Sequence, residues 1–242
     1  MTLMYNGHDL EAIGICGEPS FEFAQFVNNE QELDNVNGSK VLGTRMGISR
    51  VTFKCAIFGT APERRVKMST LASWLAVDEP KQLILPDSPG WYYLAVPDGA
   101  FEIADNIEPW IFKVTFKMTD PIAYGVEEHY VAVPYGGSIT FTVGGTAPTK
   151  PYFNRTIVSP NQTTKQWGWR LDNQDVFVLD FGTTSNRYIQ ADFGERISYV
   201  NDVIKLPTIN SDWFELTPGV HTIENHIGGG TSVWLRWHER WY

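Results

Sequence analysis

The segment spanning residues 48–124 most strongly constrains the fold, because strand patterns surround one capped helix. Residues 50–58 (RVTFKCAIF) and 110–118 (WIFKVTFKM) alternate apolar and polar side chains, which predicts two half-buried strands. Thr60 and Glu63 have the spacing of a capping box and predict a helix start. The apolar stripe of this helix is Met68, Leu71, Ala72 and Leu75. The segment therefore predicts a β-rich unit with one long helix inserted in it.

The second half of the chain carries short strand patterns at a spacing of about ten residues, with turn residues between them. This pattern predicts a β-sandwich. We place the domain boundary near residue 126, with a hinge at residues 127–130 (EEHY). The predicted fold is thus mainly β with one helix, in two domains: an N-terminal β-sandwich plus α-helix over residues 1–126, and a C-terminal β-sandwich over residues 127–242.

The composition of the chain argues against several classes of function. The formal net charge of -9 argues against non-specific binding to nucleic acid or to anionic membranes, since both need cationic patches. No apolar stretch approaches the ~18 residues of a membrane span, and residues 1–7 lack a signal-peptide pattern. We therefore expect a soluble protein made in a cytosol. Cys16 and Cys55 are too few for a disulfide framework and are expected to be buried and reduced.

Residues 25–47 form a polar stretch with weak periodicity. A long irregular excursion inside a compact domain is uncommon, and such a segment is usually functional or disordered. From the residues alone, a flexible surface loop and a functional segment are equally good interpretations.

Catalytic and metal-binding patterns are weak. His221 and His226 are five residues apart on one predicted strand, which places them on opposite faces and disfavours a shared metal. The chain has no Gly-x-Ser-x-Gly motif, and its three-glycine run at 228–230 lacks the residues of a phosphate loop. Sequence alone does not test a carboxylate pair for glycoside cleavage, because such a pair is defined by distance in space. We expect no catalytic, cofactor-binding or metal-binding residue.

Tryptophan is concentrated in the second half of the chain. Strand alternation places Trp234, Arg236, His238 and Arg240 on one face of the last strand, which makes that face aromatic and cationic. Two interpretations remain for the tryptophans of this half. They fill the sandwich core or a subunit interface, or they form a platform that stacks on sugar rings.

Four motifs occur in a defined order: RVTFKCAIFG, PERRVKMSTLASWLAVDEPKQLILPD, GWYYLAVPDG and PWIFKVTFKMTDPIAYG. In this order they resemble the N-terminal domain of the distal tail proteins (Dit) of bacteriophages with long non-contractile tails. Residues 214–223 resemble the Leu-x-Pro-Gly-x-Asn-x-Ile element of jelly-roll modules and of Dit C-terminal domains, with His221 where asparagine is usual. The aromatic, arginine-rich ending over residues 234–242 is also similar to the family.

The resemblance implies a structural protein and not an enzyme. It implies a homohexameric ring at the tail tip of the virion, made in the bacterial host cytoplasm, which docks the tail-tube protein and the tail-associated hub protein and lets DNA pass through its channel. It also implies a galectin-like C-terminal domain that holds a receptor-binding protein or contacts host-surface saccharide. An arm at residues 25–47 would pack on the neighbouring subunit through the following residues: Gln25, Phe26, Asn28, Glu32, Asn35 and Lys40.

A carbohydrate-binding module is the alternative to this structural function. In that interpretation the C-terminal sandwich carries the activity, through the face of the last strand that bears Trp234.

Overall fold

The computed structural model describes residues 2–32, 37–99, 109–134, 136–230 and 232–242. The chain divides into two compact units, Met1–Ala123 and Tyr124–Tyr242. The predicted fold class is confirmed, since both units are built mainly from strands and a single α-helix occurs among the described residues. That helix is neither long nor apolar enough to cross a membrane.

The described residues of the N-terminal unit form ten strands, one short 3-10 turn (Leu10–Ala12) and the α-helix α1 (Ala61–Leu75). Its strands are β1 (Met4–Tyr5), β2 (His8–Asp9), β3 (Ile15–Cys16), β4 (Ser20–Glu22), β5 (Phe26–Glu32), β6 (Ser39–Met46), β7 (Ser49–Ile57), β8 (Lys81–Ile84), β9 (Trp91–Pro97) and β10 (Trp110–Met118).

One antiparallel sheet in the order β2-β1-β8-β9-β10-β7 organises this unit. Both β3 and β4 pair with the free side of β7. The β7–β10 pair runs in register from Ser49 opposite Met118 to Ile57 opposite Trp110. Alternate side chains of these two strands, such as Phe53 and Phe116, are buried in the core, as the sequence pattern predicts.

Helix α1 starts as its sequence predicts. The Thr60 backbone N–H donates to Glu63 Oε2 at 2.7 Å and closes the capping box. This hydrogen bond lowers the pKa of the Glu63 carboxyl. Leu71 and Leu75 are buried against the sheet. Ala72, predicted to share their stripe, is exposed, so the buried face of the helix is narrower than predicted.

The C-terminal unit is built from strands, as the sequence pattern predicts. They are β11 (Ala123–Val133), β12 (Ser138–Val143), β13 (Tyr152–Ser159), β14 (Gln166–Leu171), β15 (Asp175–Asp180), β16 (Arg187–Asp192), β17 (Ile197–Val200), β18 (Val203–Ile204), β19 (Gly219–Ile227), β20 (Gly229–Gly230) and β21 (Val233–Trp241).

These strands form a sandwich of two sheets. The order is β18-β17-β16-β13-β21-β11 in one sheet and β12-β19-β14-β15 in the other. Residues 127–130, predicted to form a hinge, instead lie inside β11. The strand continues through them beside β21, and the Glu128 carboxylate accepts a hydrogen bond from Arg236 of that strand.

Aromatic side chains fill the space between the two sheets. Trp167 and Trp169 of β14 are fully buried, and Phe153 of β13 packs edge-on against Trp169 at 4.8 Å between ring centroids. Trp237 of β21 is also buried in this core. For these three tryptophans, the core interpretation of the sequence is therefore confirmed. Gly168, between the first two, has no room for a side chain, since an added Cβ would lie 2.4 Å from the Phe177 carbonyl oxygen.

Candidate interaction surfaces

Residues 25–47 contain a regular hairpin, which the irregular excursion inferred from the sequence did not predict. Strands β5 and β6 pair with each other from Phe26 opposite Met46 to Glu32 opposite Ser39, with an irregularity between Asn29 and Glu30. They form a two-stranded sheet of their own. The sequence shows little alternation here because both faces of the hairpin are exposed, so neither face requires apolar side chains. We call this hairpin the arm.

The arm exposes several large apolar side chains to solvent. Phe26 is 71% exposed, Val41 52% and Leu42 53%. A depression of about 540 Å³ lies against the arm and is lined by Val27, Asn28, Asn29, Gly43, Thr44 and Arg45. A two-stranded hairpin is marginally stable in water, and exposed apolar clusters mark interaction sites. The arm therefore has the properties of a segment that packs on another molecule.

Five of the six residues predicted for the arm lie on it or at its base. Phe26, Asn28 and Glu32 are on β5 and Lys40 is on β6, all exposed. Gln25 directly precedes β5, and Asn35 lies outside the described residues. Asn28 Oδ1 accepts a hydrogen bond from the Thr44 hydroxyl at 2.8 Å, so this side chain ties the two strands of the arm together.

The base of the arm is closed by backbone contacts. The Gly47 N–H donates to the Gln25 carbonyl oxygen at 2.8 Å. Just beyond the arm, the buried Ser49 hydroxyl donates to the Glu22 carbonyl oxygen at 2.9 Å. The two ends of the arm are therefore adjacent, and both continue into strands of the N-terminal sheet.

The predicted face of the last strand carries one exposed aromatic pair. Trp234 is 43% exposed, and its ring lies edge-on to Tyr130 of β11, which is 57% exposed, with ring centroids 4.9 Å apart. The sequence did not single out Tyr130, because its position beside Trp234 depends on pairing between strands that are far apart in the chain.

Arg236 is held in an ion pair on the same face. Its Nη1 lies 2.5 Å from Glu128 Oε2, and the Tyr152 hydroxyl donates to the other carboxylate oxygen. The hydrogen bond from Tyr152, and then the Arg236 charge, hold the pKa of Glu128 below its usual value although burial raises it. The guanidinium charge is therefore compensated within the domain, so the face is less cationic than predicted.

The remaining two predicted residues contact backbone carbonyl groups of the same domain. His238 Nδ1 lies 2.9 Å from the Gly125 carbonyl oxygen. Arg240 is buried, donates to the Pro148 carbonyl oxygen at 3.1 Å and lies over the Tyr124 ring. Strict alternation fails at Arg240, so the four residues do not share one exposed face. The accessible surface consists of the exposed Trp234 and Tyr130 with the half-buried Arg236 and His238.

His221 and His226 contact different partners. The buried His221 ring places Nδ1 2.6 Å from Asp172 Oδ2 and Nε2 2.6 Å from the Thr217 carbonyl oxygen. His226 lies against Arg170, and its burial, followed by the Arg170 charge, lowers its pKa. In the described part of the chain, no group of three His, Cys, Asp or Glu side chains could hold a metal ion.

An exposed apolar segment lies at the edge of the C-terminal sandwich, where β18 ends the larger sheet. Its apolar side chains are more than half exposed: Val203 68%, Ile204 61%, Leu206 77% and Ile209 99%. The run VIKLPTI carries this signal in the sequence. The sequence did not predict a surface here, because an apolar run is equally compatible with a buried strand.

Two family models match the chain and together cover most of it. Residues 9–118 match the "Phage tail protein RIFT-related domain", and residues 144–241 match the "Siphovirus-type tail component, C-terminal domain". The two matches fall one in each structural unit. No curated protein sequence matches the chain.

Solved structures share the fold over the full length. The structure of the SPP1 Dit (gp 19.1) protein, described as "a Paradigm of Hub Adsorption Apparatus in Gram-positive Infecting Phages", has a TM-score of 0.79 at 18% identity and covers 100% of this chain and 99% of that chain. Chains of the phage p2 baseplate in its activated conformation are also similar. The form with Ca has a TM-score of 0.52 at 13% identity, covering 96% of this chain and 93% of that chain. The form with Sr has a TM-score of 0.50 at 13% identity, covering 95% and 92%.

Proposed function

Because the chain belongs to the siphophage distal tail protein family, we propose that it is a structural component of the tail tip. In this proposal the N-terminal unit forms a homohexameric ring that joins the tail tube to the tail-tip and host-adsorption apparatus. The protein is made in the host cytoplasm and resides in the virion tail. Its action is geometric, and we assign no catalytic step to it.

The exposed apolar residues of the arm are the main observation that supports the proposed ring. A head-to-tail interface closes into a ring when one surface of each subunit fits a different surface of the next and the rotation is right. The arm supplies such a surface, because the side chains of Phe26, Val41 and Leu42 are apolar and more than half exposed. Packing these side chains on the neighbouring subunit removes them from water and provides the free energy of association.

The family resemblance suggests the partners of this ring. The ring would dock the tail-tube protein on one side and the tail-associated hub protein on the other. The C-terminal sandwich, with its exposed apolar edge at Val203–Ile204, would hold a receptor-binding protein or another baseplate component. DNA would pass through the channel without sequence-specific contacts, in keeping with the net charge of -9.

Excising the arm tests the proposal. Since the Gly47 N–H and the Gln25 carbonyl oxygen are 2.8 Å apart, residues 26–46 can be replaced by a short glycine-containing turn without opening the sheet. We expect the intact chain to give a species near six times the 27.4 kDa protomer mass in light scattering, with a central hole in negative-stain images. The excised chain should be a folded monomer with an unchanged β-type circular dichroism spectrum.

Two outcomes would overturn the proposal. The first is an excised chain that still forms rings. The second is an intact chain that stays monomeric both alone and when mixed with the tail-tube and hub proteins of the same phage. The mixing experiment covers assembly that requires a partner as a template.

A saccharide-binding function of the C-terminal unit is the second candidate, and the exposed Trp234–Tyr130 pair favours it. Tyr and Trp combine an apolar ring with a polar O–H or N–H group, so they suit a ligand that, like a sugar, has both apolar and polar surface. The test compares binding of host cell-wall saccharides by the full chain and by its Trp234→Ala variant. Trp91→Ala is the matched control, because Trp91 is 37% exposed and lies in the other unit. Equal binding by all three chains, or no binding, would reject this function.

A further inference from the structure

The two cysteines lie directly opposite each other on neighbouring antiparallel strands. Cys16 of β3 is the register partner of Cys55 of β7. The Gly17 N–H donates to the Lys54 carbonyl oxygen at 2.9 Å, so the adjacent pair, Gly17 and Lys54, is a hydrogen-bonded one. Pairs alternate along an antiparallel ladder, so Cys16 and Cys55 occupy a non-hydrogen-bonded position.

That position suits a covalent bond between the two sulfurs. Opposed Cα atoms of a non-hydrogen-bonded pair lie about 4.5 Å apart. Disulfides span Cα separations of about 4.4–6.8 Å. The backbone therefore needs little adjustment to accept a Cys16–Cys55 bridge. Both cysteines are free in this structure.

The two thiols differ in accessibility and in acidity. Cys55 is 3% exposed and sits in the core, whereas Cys16 is only partly buried. The hydrogen bond from the Cys55 thiol lowers the pKa of Cys16, although burial and the nearby Glu11 and Asp9 charges oppose this. The same contact, together with burial, raises the pKa of Cys55. Cys16 is therefore the sulfur that ionises first and that a reagent reaches first.

We propose that Cys16 and Cys55 are a reversible disulfide site that a small-molecule disulfide such as oxidised glutathione converts. The Cys16 thiolate attacks one sulfur of the oxidant, releases one glutathione thiolate and forms a mixed disulfide. Cys55 then loses its proton to solvent and attacks the Cys16 sulfur, which releases the second glutathione. The two cysteines are oxidised by two electrons, and the oxidant is reduced to two thiols.

The bridge would close a loop that contains the whole arm. Residues 17–54 include β4, β5, β6 and most of β7. Strand β3 pairs with β7 at only two positions. The disulfide would add a covalent link between these two strands, at the two ends of the loop. The consequence for assembly rests on the proposed function: oxidation outside the cell would fix the strands from which the arm projects. Constraining the unfolded chain in this way stabilises the folded state.

The experiment uses the full chain, folded and reduced, in glutathione buffers of increasing oxidised fraction. After quenching with an alkylating reagent, intact mass and peptide mapping identify the products. We expect loss of two hydrogen atoms, one crosslinked peptide pair containing Cys16 and Cys55, full reversal by dithiothreitol, and a higher urea midpoint for the oxidised form. In the Cys16→Ser control, we expect the buried Cys55 to acquire neither glutathione nor the alkylating reagent while the chain is folded.

A folded wild-type chain that keeps both thiols free, or that carries only mixed or intermolecular disulfides, would overturn the site. Peptide mapping of the wild-type chain alone decides whether the disulfide forms, so the test does not require the Cys16→Ser variant to fold. Light scattering of the reduced and oxidised chains reads ring formation separately. A disulfide without rings would contradict the proposed function alone, and rings with permanently reduced cysteines would contradict this inference alone.

Discussion

The strongest test of the arm is the removal of two of its apolar side chains, Phe26→Ala together with Leu42→Ala. Both residues lie on the arm, outside either hydrophobic core, so the substitutions should leave the protomer folded. If the arm packs on a neighbouring subunit, they remove buried surface from each interface. If the arm extends freely into water, they change nothing that holds two subunits together.

The expected magnitude follows from the exposed fractions. Full burial of a Phe or Leu side chain contributes ~1.5–3 kcal/mol. Phe26 is 71% exposed and Leu42 is 53% exposed, so only these fractions remain to be buried in an assembly. The two substitutions should therefore weaken each interface by about 2–3.5 kcal/mol. At 1.4 kcal/mol for each factor of ten, this corresponds to roughly a 30–300-fold weaker subunit association.

Sedimentation velocity over a concentration series measures this shift directly. Leu206→Ala is the matched control, because Leu206 is 77% exposed but belongs to the C-terminal unit. We expect the control to assemble like the wild type and the double variant to dissociate at much higher concentration. A double variant with the association constant of the wild type would refute the reasoning, since it would show that the exposed apolar surface of the arm plays no part in assembly.

Much of the fold could be predicted from local patterns. The alternation in residues 50–58 and 110–118 identified the two strands that pair along their whole length. Asn201 and Asp202 form the two-residue turn between β17 and β18, and both adopt positive φ (51° and 63°), which Asn and Asp tolerate in such turns. These features depend on neighbours in sequence, so one sequence suffices to read them.

The sites depend on contacts between distant residues, and sequence patterns described them less well. Arg240 was assigned to an exposed face by counting alternate positions, yet it is buried near the end of β21, where Gly145 and Ala147 bridge to it. Glu128, which neutralises Arg236, lies more than a hundred residues earlier and inside a predicted hinge. The arm was recognised as a segment but not as a hairpin, because strands exposed on both faces leave no hydrophobic alternation.

Three further predictions concern the C-terminal unit. Asp172→Ala should lower the free energy of unfolding by about 1–3 kcal/mol in urea titrations, because it leaves the buried His221 without its carboxylate partner at 2.6 Å; an unchanged midpoint would contradict this. Glu128→Gln should destabilise the chain at neutral pH. The folded-state pKa of Glu128 is depressed, so its contribution is present above the ordinary value of 4.5 and is lost as the pH falls through the folded-state pKa; wild type and variant should therefore converge in acid, and a constant gap would argue against the ion pair. Gly168→Ala should cost about 1–3 kcal/mol, because its Cβ would lie 2.4 Å from a backbone oxygen of the neighbouring strand and force the two strands apart. Gly43→Ala on the arm is the matched control, because nothing lies within 4 Å of its added Cβ, and it should leave the protomer as stable as the wild type. Equal effects of the two substitutions would show that the strands around Gly168 can move apart at little cost in stability.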